Sequence, residues 1–409
     1  MIESIKNIDR ITFINYLILF YAFVISFPIE VIRLVAILMI LLWLTDRKSE
    51  INLPKTRIFL FFGIFLFYIS LSYIWSDASL KEAWSYFKRY WYFIPSFIIF
   101  KYLKKDNFNL LITSFLSGIF ISEVFSYGNF FGFWQIGHGS QIDPTVFMQH
   151  SLYGLFLCVV SLFLFFKLLY EERDKYWYIN LFFFMTITIN IFINSGRTGY
   201  FTFLLTLIAV VIFKNIRDIK KLFKYLAISI LILSVIFTSA YNLSSNFKYR
   251  LFQVKKDIEK IINQNNYNSS VGARIGFWII AKDILQDHLL LGVGIANQNN
   301  VKQKIIKEKY NTGSKSAIYV LEHFHNVHLE TISSYGLVGY ILLILLLIQI
   351  LLIKIKDSAI HSLKYILIFS FIFAGLADNV FYLSQPISLF AICLGIILSK
   401  YKFENTKTK

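Results

Sequence analysis

Apolar residues in this chain come in long unbroken runs separated by short polar stretches. The runs lie at roughly 11–28, 31–44, 58–75, 90–103, 108–126, 146–170, 177–194, 199–214, 225–241, 329–353, 362–377 and 386–399. A helix rises ~1.5 Å per residue, so about 20 apolar residues cross the hydrocarbon core of a bilayer. The pattern predicts an all-α polytopic membrane protein with about 12 transmembrane helices. The runs at 31–44, 90–103 and 386–399 are short for a full crossing and are read as less tilted or partly re-entrant. The first run follows Lys6 and Arg10 but lacks a small-residue cleavage pattern and leads straight into a second run, so it is read as a retained helix.

One extended polar region, 242–328, interrupts the pattern. It divides the chain into helices one to nine (1–241), a large outer loop (242–328), and helices ten to twelve with a cytoplasmic tail (329–409). Within the loop, Phe247, Leu251, Val254, Ile258, Ile261 and Ile262 recur at helical spacing, which predicts an amphipathic helix. Its Arg250, Lys255 and Lys256 suit an anionic membrane surface. After a polar break, Ser269 or Ser270 is placed to cap a second helix at about 272–287. That helix sets Arg274, Trp278 and Lys282 on one face. The run Leu291-Gly292-Val293-Gly294 reads as flexible backbone able to approach a ligand closely. The lysine-rich stretch 302–315 reads as a solvated helix and loop.

Composition changes the picture little and charge changes it more. Hydrophobic residues make up 57% and charged residues 16% of the chain, against about 25% charged in a soluble domain. The net charge of +17 is explained by the positive-inside rule before any nucleic-acid partner is invoked. With the N-terminus in the cytoplasm, most Lys and Arg fall in cytoplasmic segments, and the outer loops at 127–145 and 378–385 hold none. Both ends are then cytoplasmic. Cys158 and Cys393 lie inside apolar runs and read as small buried hydrophobes.

The basic residues that break this rule are the candidates for chemistry. Lys81, Lys88 and Arg89 stand in an aromatic outer loop with Trp84, Tyr86 and Phe87. Arg197 is alone in the outer turn Ser195-Gly196-Arg197-Thr198-Gly199, whose glycines supply the turn. Arg33 and Lys81 are equally well read as snorkelling residues. Arg274 beside Trp278 suits a phosphorylated sugar, a guanidinium forking onto phosphate and an indole stacking on the ring; Trp278 also reads as an interface anchor.

Three of the seven histidines, His323, His325 and His328, fall at the mouth of the tenth run. Three readings stay open there. His325 is a general base; or Glu322, His323, His325, His328 and Glu330 hold a metal, although their spacing matches no zinc pattern; or the histidines are structural. Cations converging at a lipid boundary imply an anionic, lipid-borne ligand such as a pyrophosphate. An imidazole beside it makes a plausible transferase.

His325-Asn326, nine residues, then Gly336-Leu337-Val338-Gly339 matches the motif of the bacterial O-antigen ligases. The preceding pieces agree in order: the Ser195–Gly199 turn, Arg274-x-x-x-Trp278, and Asp287-His288-Leu289-Leu290-Leu291-Gly292-Val293-Gly294, in which leucine stands where proline is usual. The chain thus resembles the O-antigen ligase and polymerase superfamily. The resemblance implies a C-type glycosyltransferase fold and inverting glycosyl transfer without metal, ATP or cofactor, on the periplasmic face of the bacterial inner membrane. The donor would be a polysaccharide on undecaprenyl pyrophosphate and the acceptor a hydroxyl of lipid A–core. His325 would be the base, and Arg197 and Arg274 would bind or stabilise the pyrophosphate. Lys88 and Arg89, by location, and Trp278 and His328 would line the substrate site. A polymerase taking another lipid-linked repeat is the alternative, and a secondary transporter is a more distant one. Asp378-Asn379, His150 and Glu322 are either supporting residues or merely interfacial.

Overall fold

A computed structural model describes residues 9–46, 57–170, 172–243, 245–264, 267, 269–310 and 323–405. Among these residues the chain is all-helical, with no strand. In chain order the helices are α1 (Arg10–Phe23), α2 (Ile29–Leu44), α3 (Ile58–Leu71), α4 (Leu80–Phe87), α5 (Ile94–Tyr102), α6 (Phe108–Phe131), α7 (His150–Tyr170) and α8 (Trp177–Ile193). They continue with α9 (Arg197–Asn215), α10 (Ile219–Leu243), α11 (Ser245–Gln264), α12 (Ser270–His288), α13 (Gln298–Ile305), α14 (Val327–Leu351), α15 (Ser358–Ala374) and α16 (Ser384–Asn405). Each apolar run corresponds to helical structure. Among the described residues, six helical stretches are long and apolar enough to cross a membrane: Ile58–Trp75, Lys105–Phe131, His150–Tyr170, Arg197–Asn215, Val327–Leu351 and Ser384–Asn405. Arg10–Ser26, Trp177–Ile193 and Ser358–Ala374 are shorter apolar helices. The chain is a multi-pass membrane protein.

α7 is hydrophobic all round, and such a helix belongs at the centre of a bundle. It is buried along most of its length and packed by α8, α9 and α15. Gly154 and Gly199 bring α7 and α9 together, because a Cβ on Gly154 would lie 2.8 Å from the Gly199 Cα. Gly199 therefore serves helix contact rather than the turn. The turn is also shorter than the five residues expected, since Arg197 already opens α9 behind Gly196. Gly196 has an ordinary φ of −80°. Glycine is needed there because a Cβ would come within 2.7 Å of the His150 carbonyl oxygen.

The polar region folds much as its periodicity predicts. α11 is the amphipathic helix, with Phe247 buried against Phe192 and Tyr200, and Phe252 and Ile262 exposed. α12 starts at a cap in which the Ser269 side chain accepts from the Gly272 amide. Two expectations are corrected. Lys302 is not solvated: it is fully buried, with its ammonium 5.2 Å from the Phe324 ring and 5.9 Å from that of Phe277. Lysine can be buried this way because its long stem and its charge both find partners, the charge over aromatic faces. The rest of the stretch beyond Tyr310, including Lys315, lies outside the described residues.

The second correction concerns the glycine run and the tenth helix. α14 is not continuous. Gly336 has φ 64° and ψ −169°, which breaks the helix in two. Groups released by the break pair with 289–294: Val293 N donates to Ser333 O at 3.0 Å, Gly294 N to Ser334 O at 2.8 Å, Leu337 N to Leu289 O at 2.8 Å and Val338 N to Leu290 O at 3.2 Å. Gly292 (φ 67°) and Gly294 (φ 86°) are held by this clasp. Their left-handed backbone meets another backbone rather than a ligand.

Candidate active site

The ends of five helices meet at one rim of the bundle: the starts of α7, α9, α14 and α16 and the end of α15. Asn326 explains how the His325 segment is set. Its side-chain oxygen caps α14 by accepting from the His328 and Leu329 amides at 2.9 and 3.1 Å. Its amide nitrogen donates to Leu376 O at 3.1 Å, and Val327 N donates to Gly375 O at 2.8 Å. These bonds tie the start of α14 to the end of α15. Glu330, one turn into α14, accepts from the Phe324 amide at 3.2 Å and from Gln298 at 2.9 Å, which holds the chain from the other side. His325 sits between these ties in a left-handed conformation, φ 44°. A non-glycine residue in that region is strained, and strain persists where the surroundings over-determine it.

The result is a partly exposed imidazole with one nitrogen held. His325 Nδ1 lies 3.3 Å from Asp378 Oδ1. Ser151, at the start of α7, donates to the other carboxylate oxygen at 2.7 Å, and the Asn379 amide donates to Oδ1 at 2.8 Å. Burial opposes the charge on Asp378, but the bonds from His325 and Ser151 outweigh it and hold the carboxyl below its ordinary value. An ionised Asp378 takes the Nδ1 proton of His325 as a hydrogen bond, which leaves the Nε2 lone pair for a substrate.

Arg274 reaches the same loop from α12. Its guanidinium donates to Ser270 O and Oγ at 2.8 Å and to Ala377 O at 3.2 Å, next to Asp378. Burial first, and Arg197 second, pull the guanidinium below its ordinary value, with Asp378 opposing. Arg197 lies 3.9 Å from Asp257 of α11. Two guanidiniums whose charges repel, Arg274 beside Asp378 and Arg197 beside Asp257, make a place that favours a further anion, and their forked donors match phosphate oxygens.

The other expected residues divide. Arg89 is pinned to the same loop: its guanidinium carbon lies 3.3 Å from the Tyr382 ring centroid and its Nη1 donates to Tyr382 O at 3.2 Å. Lys88, next to it, is exposed. Trp278 is 54% exposed and lines a largely apolar groove with Lys282, His328, Leu329, Ile332 and Tyr340. His328 lies beside that groove with both nitrogens engaged, 3.0 Å from the Tyr340 hydroxyl and 3.0 Å from Ile372 O. This leaves it no nitrogen for a substrate and makes it a brace between α14 and α15. His323 packs on Tyr382 at 4.1 Å. Burial, then Arg89, Lys302 and His325, push it down to about 4, so it is neutral at physiological pH. Among the described residues no group of three His, Cys, Asp or Glu side chains is placed to hold a metal ion. Glu322 lies outside those residues.

Asp378 is the residue that sequence reasoning left undecided. Its signal was a lone acid between two apolar runs in an outer loop without basic residues. Ser151 carried no signal at all.

A relative from Haemophilus influenzae, described as an uncharacterized protein, is 24% identical over 326 residues, covering 78% of this chain and 77% of the relative. Residues 181–344 match the model of the O-antigen ligase family. The match begins in α8 and takes in Arg197, Arg274, the 289–294 clasp and the His325–Gly339 segment. Over that stretch the chain is similar to the O-antigen ligase family.

Proposed function

We propose that this protein is an O-antigen ligase of the bacterial inner membrane, moving a polysaccharide from undecaprenyl pyrophosphate to a sugar hydroxyl of lipid A–core on the periplasmic face. About twelve spans, the periplasmic position of 242–328, and the division at 241 and 328 belong to the same reading. The observation that carries it is the His325–Asp378 pair standing beside the two arginines, Arg197 and Arg274. In this mechanism Asp378 orients His325, and Nε2 removes the proton of the acceptor hydroxyl as its oxygen attacks the anomeric carbon. Arg197 and Arg274 stabilise the charge that collects on the departing pyrophosphate. Attack opposite the leaving group inverts the anomeric configuration. Arg89 and Trp278 bound the space where donor and acceptor sugars lie.

The test is transfer by the purified chain, given undecaprenyl-pyrophosphate glycan and either lipid A–core or a second lipid-linked repeat. Product on lipid A–core supports the ligase. Elongation of the lipid-linked repeat alone makes the protein a polymerase. Glycan movement across proteoliposomes with no transfer in either arm would make it a transporter.

A further inference from the structure

The mechanism above gives the acceptor's proton a destination but gives the leaving group only arginines. A second histidine–aspartate pair stands at the same rim and is used by none of these steps. His150 Nδ1 lies 2.9 Å from Asp143 Oδ2, and both side chains are partly exposed, 45% and 32%. The loop that carries Asp143 is built to present it. Ser140 N donates to Asp143 O at 2.8 Å, and the Asp143 amide donates to Ser140 Oγ at 3.0 Å.

This pair is joined to the site on two sides. On the Arg197 side, Ser195 Oγ donates to Ile142 O at 2.7 Å, and the His150 carbonyl abuts Gly196, the residue before Arg197. On the His325 side, the residue after His150 is Ser151, whose hydroxyl donates to Asp378. The order of groups is therefore Asp143–His150, Ser151–Asp378, His325, with the start of α9 packed against the first pair.

We propose that His150, oriented by Asp143, is a second catalytic histidine that binds the donor pyrophosphate and protonates it as it leaves. This rests on the transferase reading above. With Nδ1 engaged by Asp143, Nε2 is the nitrogen that faces substrate, and in the doubly protonated ring it is an N–H carrying positive charge. The bond between the anomeric carbon and the pyrophosphate oxygen breaks, and its electron pair stays on that oxygen. The acceptor oxygen forms the new glycosidic bond and gives its proton to His325. His150 gives its proton to the pyrophosphate oxygen. Both histidines then exchange with water, His325 losing a proton and His150 regaining one, so the cycle balances.

The charged group in contact with His150 is Asp143; Arg197 follows Gly196, which abuts the His150 carbonyl, and Asp378 accepts from the neighbouring Ser151. The test uses farnesyl pyrophosphate, a short isoprenoid pyrophosphate, titrated calorimetrically into the purified full chain from pH 6 to 8.5. His150→Ala is expected to weaken binding about tenfold at the acid end, the loss of one hydrogen bond to a charged group. The wild-type protein is expected to bind less tightly as pH rises, a slope that disappears in His150→Ala and His150→Gln and persists in His325→Ala. His150→Gln keeps the bulk of the side chain, and an unchanged elution profile shows that the fold is intact. Unaltered affinity and slope in both His150 variants would overturn the inference and leave the arginine site standing. Failure of the wild type to bind the probe would overturn the donor reading along with it.

Discussion

His325 lies just before α14 and Asp378 just after α15, 53 residues apart, and they meet at 3.3 Å because Asn326 and Val327 tie the start of α14 to the end of α15. The pairing fixes which imidazole nitrogen is free. Asp378→Asn keeps the shape but removes the anion that selects the tautomer, so kcat for transfer is expected to fall about 100-fold with little change in KM. Steady-state assays with purified variants check this. A variant within twofold of wild type would remove Asp378 from the mechanism.

Arg197→Lys is expected to raise the KM for the lipid-linked donor about tenfold. An ammonium supplies charge without the forked pair of donors that matches two phosphate oxygens. The acceptor KM is expected to stay put, and the two constants are separated by varying each substrate in turn.

Asn326→Ala removes the cap of α14 and a tie to Leu376. A lost cap costs about 1 kcal/mol, and Asn326→Ser is expected to recover most of that because serine also caps. Thermal denaturation of the two variants in detergent gives the comparison.

His323 supplies a pH dependence whose sign is fixed. Its value in the folded protein is about 4, below the usual range for histidine. The unfolded chain therefore takes up a proton first as pH falls, and the folded state loses stability between roughly pH 6.5 and 4. The melting temperature of the wild type is expected to drop across that window, and His323→Phe to drop less. Equal slopes would show that other groups control the acid limb.

The helices were legible in the sequence because an apolar run of bilayer length has few other uses. Arg197 stood out because a cation in a short turn has no packing reason to be there, and the fold sets it near Arg274. Lys302 was misread because charge was equated with solvation, whereas its partners, Phe277 and Phe324, come from elements distant in sequence. His328 carries the same lesson, since only the fold shows that Tyr340 and Ile372 occupy both its nitrogens. Asp378 and Ser151 needed the bundle itself, because nothing local links them to His325.

Gly336→Ala is expected to be severe. A β-carbon there would lie 2.2 Å from Leu290 O, and the left-handed backbone alone costs of order 1–3 kcal/mol in a residue with a side chain. Loss of folded protein by size-exclusion chromatography is the readout.

The clasp between 289–294 and 333–338 also sets a rule about chain length. Its four hydrogen bonds join 293–294 to 333–334 and 289–290 to 337–338, so inserting or deleting one residue inside either stretch would set one half of the clasp out of step with the other. Homologous chains should therefore hold a constant residue count from Leu289 to Gly294 and from Ser333 to Val338. The spacing from His325 to Gly336 would then be a ruler that measures from the clasp to the imidazole proposed as the base.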